Sequence, residues 1–99
     1  MSEDRFVGNV RQLAAEIDAL NHRAVREYEP VVETLVRMRS RDKVQIEQAL
    51  DGLLSFCGFA PALELYRRLC RHYWDIDPIA TASYVDAYRT MWDTDEDGR

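Results

Sequence analysis

Two cysteines, two histidines and the carboxylates are the groups to weigh first for covalent or metal chemistry in this chain. Cys57, Cys70 and His72 form one soft-ligand cluster, and His22 stands far from it in sequence. Zinc takes four ligands, commonly in close pairs such as Cys-x-x-Cys, so this set falls short and no metal is expected. A nucleophilic thiol needs a base within reach. Cys70 and His72 are two apart on a helix, which turns them about 160° from each other, and they cannot form a dyad. Cys57 and His72 could meet across a chain corner, but nothing marks an oxyanion hole beside them. The sequence holds no Gly-rich phosphate loop and no carboxylate pair in an apolar setting. Asp93-Thr94-Asp95-Glu96-Asp97-Gly98 matches the opening half of an EF-hand loop. The seventh position is Arg99, however, and the bidentate Glu of the twelfth is missing. Calcium, any other cofactor and catalysis are therefore not expected, and residues 93–99 read as an acidic, frayed tail.

Arginine and aromatic side chains offer binding chemistry instead. Arg37, Arg39, Arg41 and Lys43 alternate through one short stretch. Arg67, Arg68 and Arg71 lie on one strip of another segment, beside His72. Guanidinium forks suit phosphate and carboxylate, and an arginine-bearing helix after a tight corner has the outline of a helix-turn-helix reader. Three features oppose that reading. Glu47, Asp51 and Glu64 interleave with the bases, and Glu64–Arg68 and Arg71–Asp75 have the spacing of intrahelical ion pairs. The would-be recognition helix also has too little wet surface to enter a groove. Tyr66, Tyr73, Trp74, Tyr84, Tyr88 and Trp92 crowd the C-terminal third, and Tyr, Trp and Arg dominate interfaces when partly exposed. They can equally fill the core with their hydroxyls reaching the surface, but a chain this short cannot hide all of them.

The composition bounds the reading. Ninety-nine residues make one domain, here taken as 1–99. With 46% hydrophobic and 31% charged residues the chain can bury a core, so wholesale disorder is excluded. A net charge of −5 argues against generic attraction to nucleic acid. The opening Met-Ser-Glu-Asp-Arg lacks the apolar run of a signal peptide. The longest uncharged window, Gly52–Leu63, is too short to span a bilayer. A cytoplasmic protein with reduced thiols and no membrane partner is the expectation. Twelve Arg against one Lys fits the codon usage of a GC-rich genome, and a bacterial source is the expectation.

The elements that must position these residues are all helical. Phe6, Val10, Leu13, Ile17, Leu20, Ala24 and Tyr28 recur at spacings of 3 and 4, a seam along one long helix face. Sustained for about three heptads, it suits either a helix lying on its own core or a coiled coil, and so a homodimer through residues 6–28. Glu29-Pro30 predicts a break or kink there. Asp42, with Gln45 three residues on, predicts an N-cap and capping box for a helix over Asp42–Cys57. Gly58 and Pro61 then mark a corner, the glycine ending one helix and the proline opening the next. Pro61–Trp74 has only a narrow polar strip and reads as the central helix. Asp77-Pro78 opens a last helix to Trp92, with Val85, Tyr88 and Trp92 inward and Arg89 outward. No stretch alternates as a strand does. The expected fold is all-α, a compact bundle of four to five helices with a long N-terminal amphipathic helix.

For function, the residues point to a small non-enzymatic module that binds another protein. It would act as an adaptor or as an inhibitor masking a partner's surface, in the limit as an acidic charge mimic. Arg67, Arg71, Trp74, Tyr84, Tyr88 and Trp92 are the expected contact residues, with the acidic tail steering a basic partner. The alternative is a DNA- or RNA-binding regulator that uses Arg37, Arg39, Arg41 and Lys43.

Overall fold

The long N-terminal seam forms a single helix, α1 (Ser2–Arg37), which continues through Pro30 without a break. The expected interruption at Glu29-Pro30 does not occur. An interior proline costs about 3 kcal/mol, but Val32 and Leu35 just beyond it are buried, at roughly 1.5–3 kcal/mol each. The carbonyl that loses its partner is that of Arg26, an exposed residue, where water can take its place. Burial on the far side of the proline outweighs the local penalty.

This structure, a computed structural model, describes residues 2–93. Among them are four helices and no strand: after α1 come α2 (Lys43–Leu54), α3 (Ala60–Trp74) and α4 (Pro78–Trp92). The second half of α1 and the three shorter helices form a compact four-helix bundle. The acidic tail lies outside the described residues, apart from Asp93. No described helix is long and apolar enough to cross a membrane.

α1 stops in a turn that satisfies its last carbonyls. The amide of Arg39 donates to Val36 O, and that of Ser40 donates to Leu35 O, the paired bonds of a Schellman motif. Arg39 occupies the left-handed position with φ of 53°, where glycine is usual. Asp42 then caps α2, its Oδ1 accepting from the Gln45 amide at 3.2 Å. The reciprocal half of the capping box is absent, because the Asp42 amide donates to Ser40 Oγ instead. α2 ends at Leu54, three residues before the expected Cys57.

The corner between α2 and α3 is where sequence suggested it, but Gly58 is there for another reason. Its φ is not positive, so it is no left-handed cap. A Cβ at Gly58 would come within 2.7 Å of the Trp92 ring; the glycine makes room for an aromatic side chain from the far end of the chain. Cys57 is buried at this elbow, and Phe56 and Phe59 are half-buried, Phe59 meeting the His22 ring edge-on at 4.9 Å.

α3 is the central helix. It packs on all three others and buries Ala62, Leu65, Tyr66, Leu69, Cys70 and Tyr73. Facing it are Val32 and Leu35 from α1 and Ile46, Ala49, Leu50 and Leu53 from α2. α4 is capped by Asp77, whose Oδ1 accepts from the Ala80 amide at 3.0 Å, with Pro78 in its first turn. Its inward set differs from expectation. Thr81 is its one fully buried residue, with Ala80, Tyr84 and Tyr88 half-buried, whereas Val85 and Trp92 are about 40% exposed.

Polar ties lock the bundle ends. Tyr73 Oη donates to Glu47 Oε2, joining α3 to α2. His72 Nε2 donates to Ser40 O at 2.7 Å, and Lys43 pairs with Asp77 at 2.6 Å. Arg68 pairs with Glu33 of α1 at 3.3 Å. The expected pair Glu64–Arg68 does not form, because Arg68 turns to the neighbouring helix, nor does Arg71–Asp75.

Candidate functional site

Arg67, Arg71 and Trp74 follow one another at spacings of 4 and 3, so α3 carries them on one face. Thr81, Val85 and Tyr88, with Arg89, do the same on α4. The antiparallel packing of the two helices turns these stripes toward each other. Between them lies an open groove of about 480 Å³. Tyr66, Cys70, Val85 and Tyr88 line it along its apolar length, Trp74 stands at one end, and Arg67, Arg71, Arg89 and Asp93 complete the lining. Tyr66 and Tyr88 meet at its base with ring centroids 6.3 Å apart. The Tyr66 hydroxyl donates to Tyr84 O at 2.7 Å, which ties α3 to α4 and holds the groove's width. Burial, reinforced by the nearby cysteines, pushes the Tyr66 phenol well above the usual tyrosine range. It stays a neutral donor.

Of the six residues expected to make contacts, four line this groove: Arg67, Arg71, Trp74 and Tyr88. Tyr84 and Trp92 do not. Tyr84 turns toward α2, where burial, with the Asp51 carboxylate beside it, raises its pKa. Trp92 lies over Gly58, and its indole Nε1 donates to Leu54 O at 2.8 Å, an orphan carbonyl at the end of α2. The i, i+4 series Tyr84–Tyr88–Trp92 concealed this split. Each step of four overshoots a full turn by about 40°, so the ends of the series point about 80° apart. Val85 and Arg89 join the groove although sequence reasoning placed them otherwise. The signal for them was their 4 and 3 spacing with Thr81 and Tyr88, which matches the stripe on α3.

Arg67, Arg71 and Arg89 form no ion pair with another described residue. Trp74 is 54% exposed. Three guanidinium groups thus edge an apolar trough, with the Asp93 carboxylate also in its lining. A second hollow, between α1 and α2 along Val31, Thr34 and Gln48, has no charged group to orient a ligand.

The remaining candidates are spread apart. Arg37, Arg39 and Arg41 are exposed around the α1–α2 turn, but the Lys43 ammonium is held by Asp77. That hydrogen bond lifts the Lys43 pKa and lowers that of Asp77. Cys57 Sγ donates to Leu53 O at 3.4 Å, and burial pushes its thiol up to about 12. Burial pushes Cys70 up to about 11. His72 is engaged with Ser40 O, so the Cys57–His72 dyad is not assembled. Among the described residues no group of three His, Cys, Asp or Glu side chains could hold a metal. Comparison with protein-family models, curated proteins and solved structures finds no match to this chain.

Proposed function

We propose that this chain is a small non-enzymatic protein-interaction module whose α3–α4 groove takes up an amphipathic helix of another protein. The observation that carries the reading is the arginine-edged apolar trough formed by Arg67, Arg71, Arg89, Trp74, Val85 and Tyr88. A helix laid in a groove uses apolar anchors at i, i+3 and i+4, and acidic residues flanking those anchors would meet the three arginines. Such a module serves as an adaptor or as an inhibitor that masks the segment it holds. Nucleic-acid binding through Arg37, Arg39 and Arg41 is the second reading, favoured only by the exposure of those three side chains at one turn.

The test is a pull-down from nuclease-treated lysate with the wild-type chain and with Trp74→Ala and Arg71→Glu. Both side chains are exposed, so folding survives their loss. The reading expects a discrete partner on the wild type and at least about a tenfold loss of affinity in each variant, as for an interface anchor. A partner retained by both variants overturns the groove. Binding that vanishes with nuclease, and with Arg39→Ala plus Arg41→Ala, overturns the protein-interaction reading and moves the site to the α1–α2 turn.

A further inference from the structure

The first half of α1 runs past the bundle as a free rod. Every residue from Asp4 to Leu20 is exposed, and Phe6, Val7, Val10, Leu13, Ile17 and Leu20 are each 45–68% exposed. Only from Ala24 on does the seam face the chain's own core: Ala24 is buried and Tyr28 lies against Gly52. At on the order of 100 Å² open per half-exposed large side chain, the stripe amounts to several hundred Å². That is at the upper end of the largest apolar patch a monomer leaves open, and two copies together approach the roughly 1,200 Å² of a stable interface.

We infer that a second copy of this chain covers the stripe, the two rods pairing antiparallel over residues 4–20. In heptad terms Val10 and Ile17 sit at a, and Phe6, Leu13 and Leu20 at d. Apolar residues at successive a and d positions form the seam that one helix of a coiled coil presents to another. The bundle decides the direction. It sits on the same face of α1 from Ala24 onward, so in a parallel pair two bundles would compete for the space between the helices. In an antiparallel pair each rod ends where the other's bundle begins. Val10 then packs against the partner copy's Leu13, and Ile17 against its Phe6. The flanking positions agree: Val7 comes opposite Ala14, and Asn9 opposite Glu16, so no like charges face each other. The surface is separate from the α3–α4 groove, and its test does not depend on that reading.

The full chain is examined by sedimentation equilibrium, with Leu13→Glu and Val10→Glu as variants and circular dichroism as the folding control. The wild type is expected at twice the 11.6 kDa chain mass. Both variants are expected at the single-chain mass with the bundle's melting temperature retained. For direction, chains carrying Phe6→Cys are mixed with chains carrying Ile17→Cys under mild oxidant. They should form the mixed disulfide, whereas Leu20→Cys chains should not link to each other. A monomeric wild type, leaving the stripe to some other partner, overturns the inference. So does a dimer that survives both glutamates, or ready linkage of Leu20→Cys to itself.

Discussion

Arg39 holds a left-handed backbone conformation that costs an L-residue about 1–2 kcal/mol. The two hydrogen bonds it closes at the end of α1 need only the backbone. Arg39→Gly should therefore stabilise the protein by about 1 kcal/mol, read as a higher urea midpoint at unchanged slope. Gly52 shows the opposite sensitivity. A Cβ there would overlap the Tyr28 ring, which is itself wedged between α1 and α2. Gly52→Ala should destabilise by up to about 2 kcal/mol, the usual cost of overpacking less the roughly 1 kcal/mol that Ala gains over Gly in a helix, and Tyr28→Leu in the same chain should recover part of the loss. Neither effect follows from residue type alone. Arginine is a poor indicator of a positive φ, and a mid-helix glycine looks merely unfavourable until the ring above it is seen.

The helices divide labour in a way their amphipathic patterns only partly announce. α3 is covered on three sides, and its wet strip is the arginine stripe, as its narrow polar face implied. α4 is the least buried of the three shorter helices, holding to the bundle through Thr81, Tyr84 and Tyr88 and through the Trp92 indole bond to Leu54 O. Trp92→Phe keeps the ring over Gly58 but removes that bond. It should lower stability by about 1 kcal/mol while leaving the affinity of the groove unchanged, as equilibrium unfolding and titration of a captured partner will show. Trp74→Ala should do the reverse. This pair of outcomes separates the tryptophan that holds the fold from the one offered to a ligand.

For the whole molecule, the buried titratable groups set an alkaline limit. Burial raises the pKa of Cys57 to about 12 and Cys70 to about 11, and raises Tyr66, Tyr73 and Tyr84 above the tyrosine range. In each case the folded protein holds its proton more tightly than the unfolded chain. The resulting stability is complete below about pH 8, where unfolded thiols are still protonated, and is lost as pH rises toward the folded values. The Lys43–Asp77 pair has two limits: the raised Lys43 loses its contribution at alkaline pH, the lowered Asp77 at acid pH. Helical signal at 222 nm should thus collapse cooperatively above pH 9. The tyrosinate absorbance of Tyr66, Tyr73 and Tyr84 should appear with the collapse, not before it.

Read alone, the sequence determined that the chain is helical, where the corners fall and which helix is central. Helical spacing, the aspartate caps at Asp42 and Asp77 and the corner at Gly58–Pro61 are local, and so is the 3 and 4 spacing of Arg67, Arg71 and Trp74. Tertiary structure decided the rest. It carried α1 through Pro30, because burial of Val32 and Leu35 exceeds a local penalty that no neighbour in sequence can offset. It separated Tyr88 from Tyr84 and Trp92, because the side on which each lies depends on where α2 and α3 pack. It also divided one continuous seam into an inner part and a free one, since only the packed bundle defines where α1 leaves its own core.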